Sequence, residues 1–391
     1  MIRYGIIGVG NIGSNHLNSL LTGKAESSAV TAVCDIKQDR LSSAKEKAEE
    51  HGAALEYYSD YKELLKSKSV DAVIVAVPHY LHPQMVSDAL DEKKHVISEK
   101  PAGVYTKGLR ALSEKADKLG LCYGMMYNQR TNPYFAMMRE MVRSGRYGKP
   151  LRLNWIITDW YRTQYYYDSG DWRATWSGEG GGVLLNQCPH NLDLWQWIFG
   201  MPKRVRGFCS FGKYHDIEVE DDVTAYAEYE NGATAVFITT TGDAIGDNRL
   251  EITCDGAQLL YEHGKLTVTE LEKPMSQLTK ELKTSFARPE KKVTVYEDLG
   301  SGRQHPEIIE NFSKHIQNGD PLLAPGRDGI FGLSISNAIH LSNYKNDWVD
   351  VGTEKAEDEF LEYLNALRRN SRRKDGGGDF GAESLEGTFG S

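Results

Sequence analysis

The chain has 391 residues, 40% apolar and 26% charged, with 46 basic and 55 acidic side chains for a formal net charge of −9. These are ordinary values for a globular chain of two or three domains. The acidic balance argues against a general nucleic-acid binder, and no apolar run approaches the ~18 residues of a membrane span. The N-terminus, Met1-Ile2-Arg3-Tyr4-Gly5-Ile6-Ile7-Gly8, shows no signal-peptide pattern. Cys34, Cys122, Cys188, Cys209 and Cys254 are scattered, odd in number and without a CxxC pair. They read as reduced thiols of a cytoplasmic protein rather than a disulfide framework or a zinc site, and no metal is expected.

Over the first 125 residues short apolar runs (Tyr4 to Ile7, Ala29 to Cys34, Ala72 to Val77, His95 to Ile97) alternate with amphipathic stretches (Ile12 to Leu21, Asp39 to Glu50, Tyr61 to Leu65, Pro83 to Leu90, Lys107 to Leu119). Such alternation predicts βαβ units and a parallel sheet covered on both faces. Beyond about residue 150 the period changes to two: Val223, Ala225, Ala227 and Tyr229 alternate with Thr224, Tyr226 and Glu228, and Asn231-Gly232 is a hairpin signal before Ala233 to Ile238. Further strands are expected at Leu151 to Ile157, Arg204 to Phe211, Arg249 to Thr253, Leu259 to Glu262 and Lys265 to Thr269. Helices are expected at Asn186 to Phe199, Pro306 to Gln317, Gly329 to Tyr344 and Glu357 to Leu367. The fold class is therefore α/β: a parallel, doubly wound sheet followed by a large, mostly antiparallel one. The basic cluster Arg368, Arg369, Arg372, Arg373, Lys374 and the Gly/Ser/Glu-rich residues after it read as a solvated helix end and a disordered tail.

Gly8-Val9-Gly10-Asn11-Ile12-Gly13 follows a strand and opens a helix, the setting a dinucleotide fingerprint requires. Gly8 permits the tight turn, Gly10 lets the backbone approach a pyrophosphate, and Gly13 lets helix and strand pack closely. The helix N-terminus offers N–H donors to the phosphates. Asp35 ends the next strand, where a carboxylate holds ribose hydroxyls and repels a 2′-phosphate. NAD is the expected cofactor, in preference to NADP.

These motifs, together with Ala76-Val77-Pro78-His79-Tyr80-Leu81-His82, Glu99-Lys100-Pro101, Asn128-Gln129-Arg130, and Gly180-Gly181-Gly182 followed by Asn186 and His190, resemble in order those of the glucose–fructose oxidoreductase, inositol dehydrogenase and rhizopine-catabolism (Gfo/Idh/MocA) family. The resemblance covers residues 1 to 367. It implies a Rossmann domain (1–125) and a substrate-binding and oligomerisation α/β domain (126–367, with a last helix at about 354–368); the disordered tail (371–391) is read from composition alone. It further implies a nicotinamide cofactor at the junction and a homodimer or homotetramer formed through the open sheet.

Lys100 ends a parallel strand, and the ligand crevice of such sheets lies beyond their carboxyl ends. Burial there would depress its pKa and let it hydrogen-bond a substrate hydroxyl. The resemblance places Glu99 on the nicotinamide-side ribose, makes Lys100–Pro101 a cis peptide, sets Pro78, His82 and Asn128 along the cofactor, and brings Arg130 to the cofactor amide and ribose. A structural salt bridge is the other reading of Arg130.

Asp159 to Trp176 is the most aromatic stretch. Tyr161, Tyr165, Trp172 and Arg173 are candidate substrate contacts, since aromatic faces with polar ends suit a sugar; an oligomer interface is the other reading. Asn186 and His190, at i and i+4, would share one helix face. By the resemblance, many family dehydrogenases have aspartate at the first of these positions, while asparagine also occurs there in sugar-oxidising relatives. Asparagine orients a hydroxyl but takes no proton, so proton handling falls to His190 and Lys100, with Asp193 placed either to orient His190 or to face solvent. The expected activity is NAD-dependent oxidation of a secondary hydroxyl of a sugar, glycoside or cyclitol, with hydride passing to nicotinamide C4. Two alternatives stand beside it: an NAD-dependent glycosidase working by transient oxidation and elimination, and a non-catalytic regulator sensing NAD and sugar. The expected partner is a small molecule, with no nucleic acid or membrane.

Overall fold

A computed structural model describes residues 1–170 and 172–371. The first sheet comprises β1 (Ile2–Ile7), β2 (Ser28–Cys34), β3 (Glu56–Tyr58), β4 (Ala72–Val75), β5 (His95–Ser98) and β6 (Tyr123–Met125), ordered β3-β2-β1-β4-β5-β6 with every pair parallel. The order reverses between β1 and β4, which opens the crevice where doubly wound folds bind ligands. Helices cover both faces, so Tyr4, Ile6, Ile7 and the whole of Ala72 to Val75 are buried. That is why these strands read as continuous apolar runs.

The second sheet comprises β7 (Pro150–Ile157), β8 (Arg204–Phe211), β9 (Glu220–Glu228), β10 (Thr234–Thr240), β11 (Asn248–Cys254), β12 (Ala257–Glu262), β13 (Lys265–Leu271), β14 (Lys291–Tyr296) and β15 (Val349–Asp350). Its order is β14-β13-β12-β11-β7-β10-β9-β8-β15. It is mixed rather than wholly antiparallel, because β7 and β10 run parallel. Gly232, at φ 83°, turns β9 into β10 with Thr234 opposite Glu228. One face of the sheet is buried (Val205, Val223, Ala225, Ala227, Ala235, Phe237) and packs on the helices Pro189–Phe199 and Gly329–Lys345. The other face exposes Phe208, Thr224 and Tyr226. The edge strand β14 begins with two lysines and is mostly exposed, Val293 and Val295 included, so it buries no apolar face.

The helix Pro133–Arg143, capped by Asn132 through the Tyr134 N–H, joins the two sheets. The helix His305–Asn318, expected with the second unit, packs instead on the first sheet: Ser313 Oγ meets Tyr4 Oη and Ser28 Oγ, each at 2.8 Å, and Glu310 takes the Ser27 N–H. The last helix, Glu354–Arg369, buries Phe360 and Leu364, and two residues past its end Ser371 Oγ lies 2.6 Å from Glu218 Oε2. Ser371 is thus held by the fold. The rest of the tail reading, with Arg372, Arg373 and Lys374, falls on residues 372–391, outside the described residues, as does Asp171.

Candidate active site

The glycine turn between β1 and the helix Asn11–Leu21 has the geometry its sequence predicts. Gly8 sits at φ 90°, where a Cβ would lie 2.2 Å from the Ala76 carbonyl oxygen. A Cβ on Gly13 would lie 1.8 Å from the Gly8 carbonyl oxygen, so this helix reaches the strand only with glycine there. Gly10 differs. Its added Cβ would meet nothing nearer than the Arg40 guanidinium at 3.4 Å, leaving room for a ligand in front of a helix N-terminus that carries no side-chain cap. Asn11 is exposed and Ile12 half-buried on that first turn. Asp35 is buried at the end of β2, accepts the N–H groups of Val9 and Lys37 at 2.9 Å each, and lies 3.7 Å from Arg40. The open cradle, the uncapped helix and the carboxylate fit a dinucleotide, with Gly8 to Gly13 for its phosphates and Asp35 for its ribose.

At the end of β5, Glu99 Oε1 pairs with His16 Nε2 at 2.7 Å while Oε2 takes the Lys100 N–H at 3.2 Å. His16 comes from the fingerprint helix, and the His305 ring stands edge-on to it at 5.3 Å. Burial raises the Glu99 pKa, but His16, His305 and Lys100 outweigh it and hold the carboxyl at about 2. The Lys100–Pro101 peptide is cis. Lys100 is half-buried, desolvation lowers its pKa, and its Nζ donates to the Asn186 carbonyl at 2.9 Å. Burial and the neighbouring Lys100 charge also push His190 well below the usual histidine value, so the imidazole is neutral at pH 7.

The geometry corrects several expectations. The helix begins at Pro189, not Asn186. Asn186 lies in the preceding turn, where Val183 N–H donates to the Glu220 carbonyl and Asn186 N–H to the Gly182 carbonyl. Asn186 and His190 therefore do not share a helix face; the turn brings Asn186 to Lys100. Arg130 is buried in a forked pair with Asp193 (2.8 and 2.6 Å), with Asp328 at 2.7 Å and the Leu323 carbonyl at 2.9 Å. The salt-bridge reading holds for Arg130, and Asp193 serves it rather than His190. His82 sets its two ring nitrogens 2.6 Å from the carbonyls of Val77 and Pro101, so it clasps two loops together. Pro78 precedes the short turn that carries His79. Asn128 donates to Gln304 at 2.6 Å, and its Oδ1 has no hydrogen-bond partner among the described residues.

In the aromatic segment, Tyr161 and Tyr165 are each 47% exposed. Tyr166 takes the inner place instead: its Oη accepts from Arg173 Nη1 at 2.5 Å, Asn186 Nδ2 at 3.2 Å and Gln187 Nε2 at 3.3 Å. The Arg173 guanidinium lies over both the Tyr166 ring and the Trp172 ring, and Trp172 packs edge-on against His79. Sequence reasoning missed Glu179, His16, His305 and the inward role of Tyr166. His16 could have been found as a polar residue on the buried side of the fingerprint helix. Glu179 stands directly before the Gly180-Gly181-Gly182 turn but has no signature of its own.

Two family descriptions match the chain: "Oxidoreductase family, NAD-binding Rossmann fold" over residues 2–127 and "GFO/IDH/MocA C-terminal domain" over residues 135–260. The chain is a member of the Gfo/Idh/MocA family of oxidoreductases and carries its NAD-binding Rossmann domain. It is 25% identical to a myo-inositol 2-dehydrogenase of Thermotoga maritima across 87% of this chain and 96% of that one. It is 32% identical to an inositol 2-dehydrogenase/D-chiro-inositol 3-dehydrogenase of Lactiplantibacillus plantarum over about half of each chain, 50% and 52%. In fold it is similar to the WlbA dehydrogenase of Chromobacterium violaceum, solved with NADH and UDP-GlcNAcA (TM-score 0.77, 24% identity, 90% of this chain and 96% of that one). It is also similar to a levoglucosan dehydrogenase solved with NADH and levoglucosan (TM-score 0.74, 20% identity, 90% and 100%).

Proposed function

We propose that the chain oxidises a secondary hydroxyl of a cyclitol, sugar or glycoside with NAD. The observation that carries this reading is the meeting of Lys100, from the end of β5, with the turn around Asn186 that leads into the His190 helix. His190, neutral at pH 7, accepts the hydroxyl proton. Lys100 is a half-buried donor that stabilises the developing alkoxide. Arg173 and Trp172 hold the sugar face. Bound NAD supplies the two-electron acceptor. The names of the inositol and levoglucosan dehydrogenases support the substrate class.

The test is a screen of inositols, monosaccharides and glycosides with NAD, read as NADH absorbance. Steady NADH formation with one of them is the expected result. Aglycone release without net NADH would favour transient oxidation and elimination instead, and no turnover at all would favour a sensor. The exposed Phe208 and Tyr226 on the open sheet face support self-association there, which light scattering of the purified chain would register as a dimer or tetramer.

A further inference from the structure

The turn before the His190 helix holds a carboxylate that the chemistry above does not use. Glu179 is 1% exposed. Its Oε2 accepts the Ala174 N–H at 2.6 Å and its Oε1 accepts Asn186 Nδ2. The same amide nitrogen donates to Tyr166 Oη, and the Asn186 main chain is fixed through its carbonyl by Lys100. Residue 186 is thus held at three points, with both amide hydrogens committed to oxygen acceptors. An ionised carboxylate only accepts hydrogen bonds, so it cannot face the amide oxygen without repulsion. The orientation of Asn186 follows from the charge beside it.

We propose that Glu179 is a positioning residue: its carboxylate turns the Asn186 amide so that the oxygen Oδ1, an acceptor, is what the substrate hydroxyl meets. The inference rests on the dehydrogenase reading of this cleft. It also fits asparagine rather than aspartate at position 186. Aspartate at position 186 would put two carboxylates into one buried site, where both cannot ionise together. Asparagine keeps the acceptor oxygen and omits the second charge.

The groups facing Glu179 are Lys100 from the end of β5, Arg173 and Tyr167 from the aromatic segment, Glu220 from β9, and His79, whose Nδ1 meets the Glu179 carbonyl, with Tyr166 linked to it through the Asn186 amide. Burial pushes the carboxyl up to about 6 against the opposing pull of Arg173 and of the Ala174 and Asn186 donors.

The test exchanges acid and amide. Wild type, Glu179→Gln, Asn186→Asp and the double variant are compared by Tm against pH from about 5 to about 8, which needs no substrate. They are also compared by kcat and KM with the substrate found in the NADH screen. NAD binding, followed by fluorescence, confirms that each near-isosteric variant is folded. Asn186→Asp is expected to lose Tm progressively as pH rises, because the second buried carboxylate must ionise, and the double variant to regain the wild-type pH dependence. Glu179→Gln is expected to lower kcat ~10-fold through misalignment, with KM for NAD unchanged. The acidic limb of the Asn186→Asp kcat profile should move up by about one pH unit, and the double variant should reverse that move.

A double variant whose Tm curve follows Asn186→Asp, or an unchanged kcat in Glu179→Gln, overturns the proposal. If no substrate turns over, the dehydrogenase reading fails by itself, while the Tm curves still decide whether Glu179 holds residue 186.

Discussion

Lys100 Nζ donates to the backbone carbonyl of Asn186 at 2.9 Å, joining residues 86 positions apart in sequence. The bond ties the carboxyl end of a parallel strand to the turn that introduces His190. It fixes the lysine head group beside that turn. Burial and the neighbouring Lys100 charge push His190 well below its ordinary value, so the imidazole stays neutral beside the lysine.

Removing either partner in proton handling should therefore slow chemistry and spare binding. Lys100→Met and His190→Ala are each expected to lower kcat by ~10²–10⁴-fold, with NAD affinity by fluorescence quenching near wild type. Near-normal turnover in His190→Ala would move the base to Lys100 or Tyr166.

Gly10 separates the cofactor cradle from the fold. Its φ of −66° suits any residue, and an added methyl meets only the Arg40 guanidinium at 3.4 Å. Gly10→Ala should keep its Tm while losing NAD affinity by about 10-fold, because the methyl occupies the phosphate approach. Isothermal titration beside thermal melting checks both halves; unchanged affinity would remove the cradle from that turn.

Asp35 is the residue expected to set the choice of dinucleotide. Its carboxylate repels a 2′-phosphate, while Arg40 stands 3.7 Å away. Wild type is expected to prefer NAD in kcat/KM, and Asp35→Ser to raise the NADP-to-NAD ratio by about 10-fold or more, since the repulsion goes and the guanidinium stays. A wild type that uses NADP equally well contradicts this.

The Arg130–Asp193 fork is buried on both sides. Asp193→Asn leaves the guanidinium with one carboxylate, Asp328, and the Leu323 carbonyl, and should cost about 3 kcal/mol in urea unfolding. The Asp193→Asn variant should bind NAD normally once folded. Loss of cofactor affinity in a folded variant would return Arg130 to the cofactor.

Acid should destabilise the fold through its histidines. Burial, the leading cause in each case, depresses His79, His82 and His190 below their ordinary value and brings His305 to about 4. The unfolded chain then binds more protons than the native one as pH falls below about 6.5, so stability present at neutral pH is lost progressively below it. Urea midpoints measured from about pH 7 down to about pH 4.5 should fall, with net proton uptake on unfolding. A flat series would mean that these histidines are already protonated in the native state.

Where local stereochemistry decides, the residues alone were enough. The Gly8-to-Gly13 turn, the buried strands β1 and β4, the Asn231-Gly232 hairpin and the strand-end position of Lys100 each follow from backbone freedom, a missing Cβ or a hydrophobic period, properties that a short window of sequence carries. Tertiary structure decided everything that depends on a distant partner. Periodicity ran the last helix of the site back to Asn186, whereas Pro189 starts it and the Gly180–Gly182 turn packed on Glu220 holds Asn186 outside. Arg130 belongs to Asp193 and Asp328, His82 to two carbonyls, and Glu179 to Asn186 only because two sheets and their connecting turns bring those groups together. The reason is physical: hydrogen-bond and charge partners are chosen by proximity in space, and proximity between residues tens of positions apart is set by topology and packing rather than by any pattern along the chain.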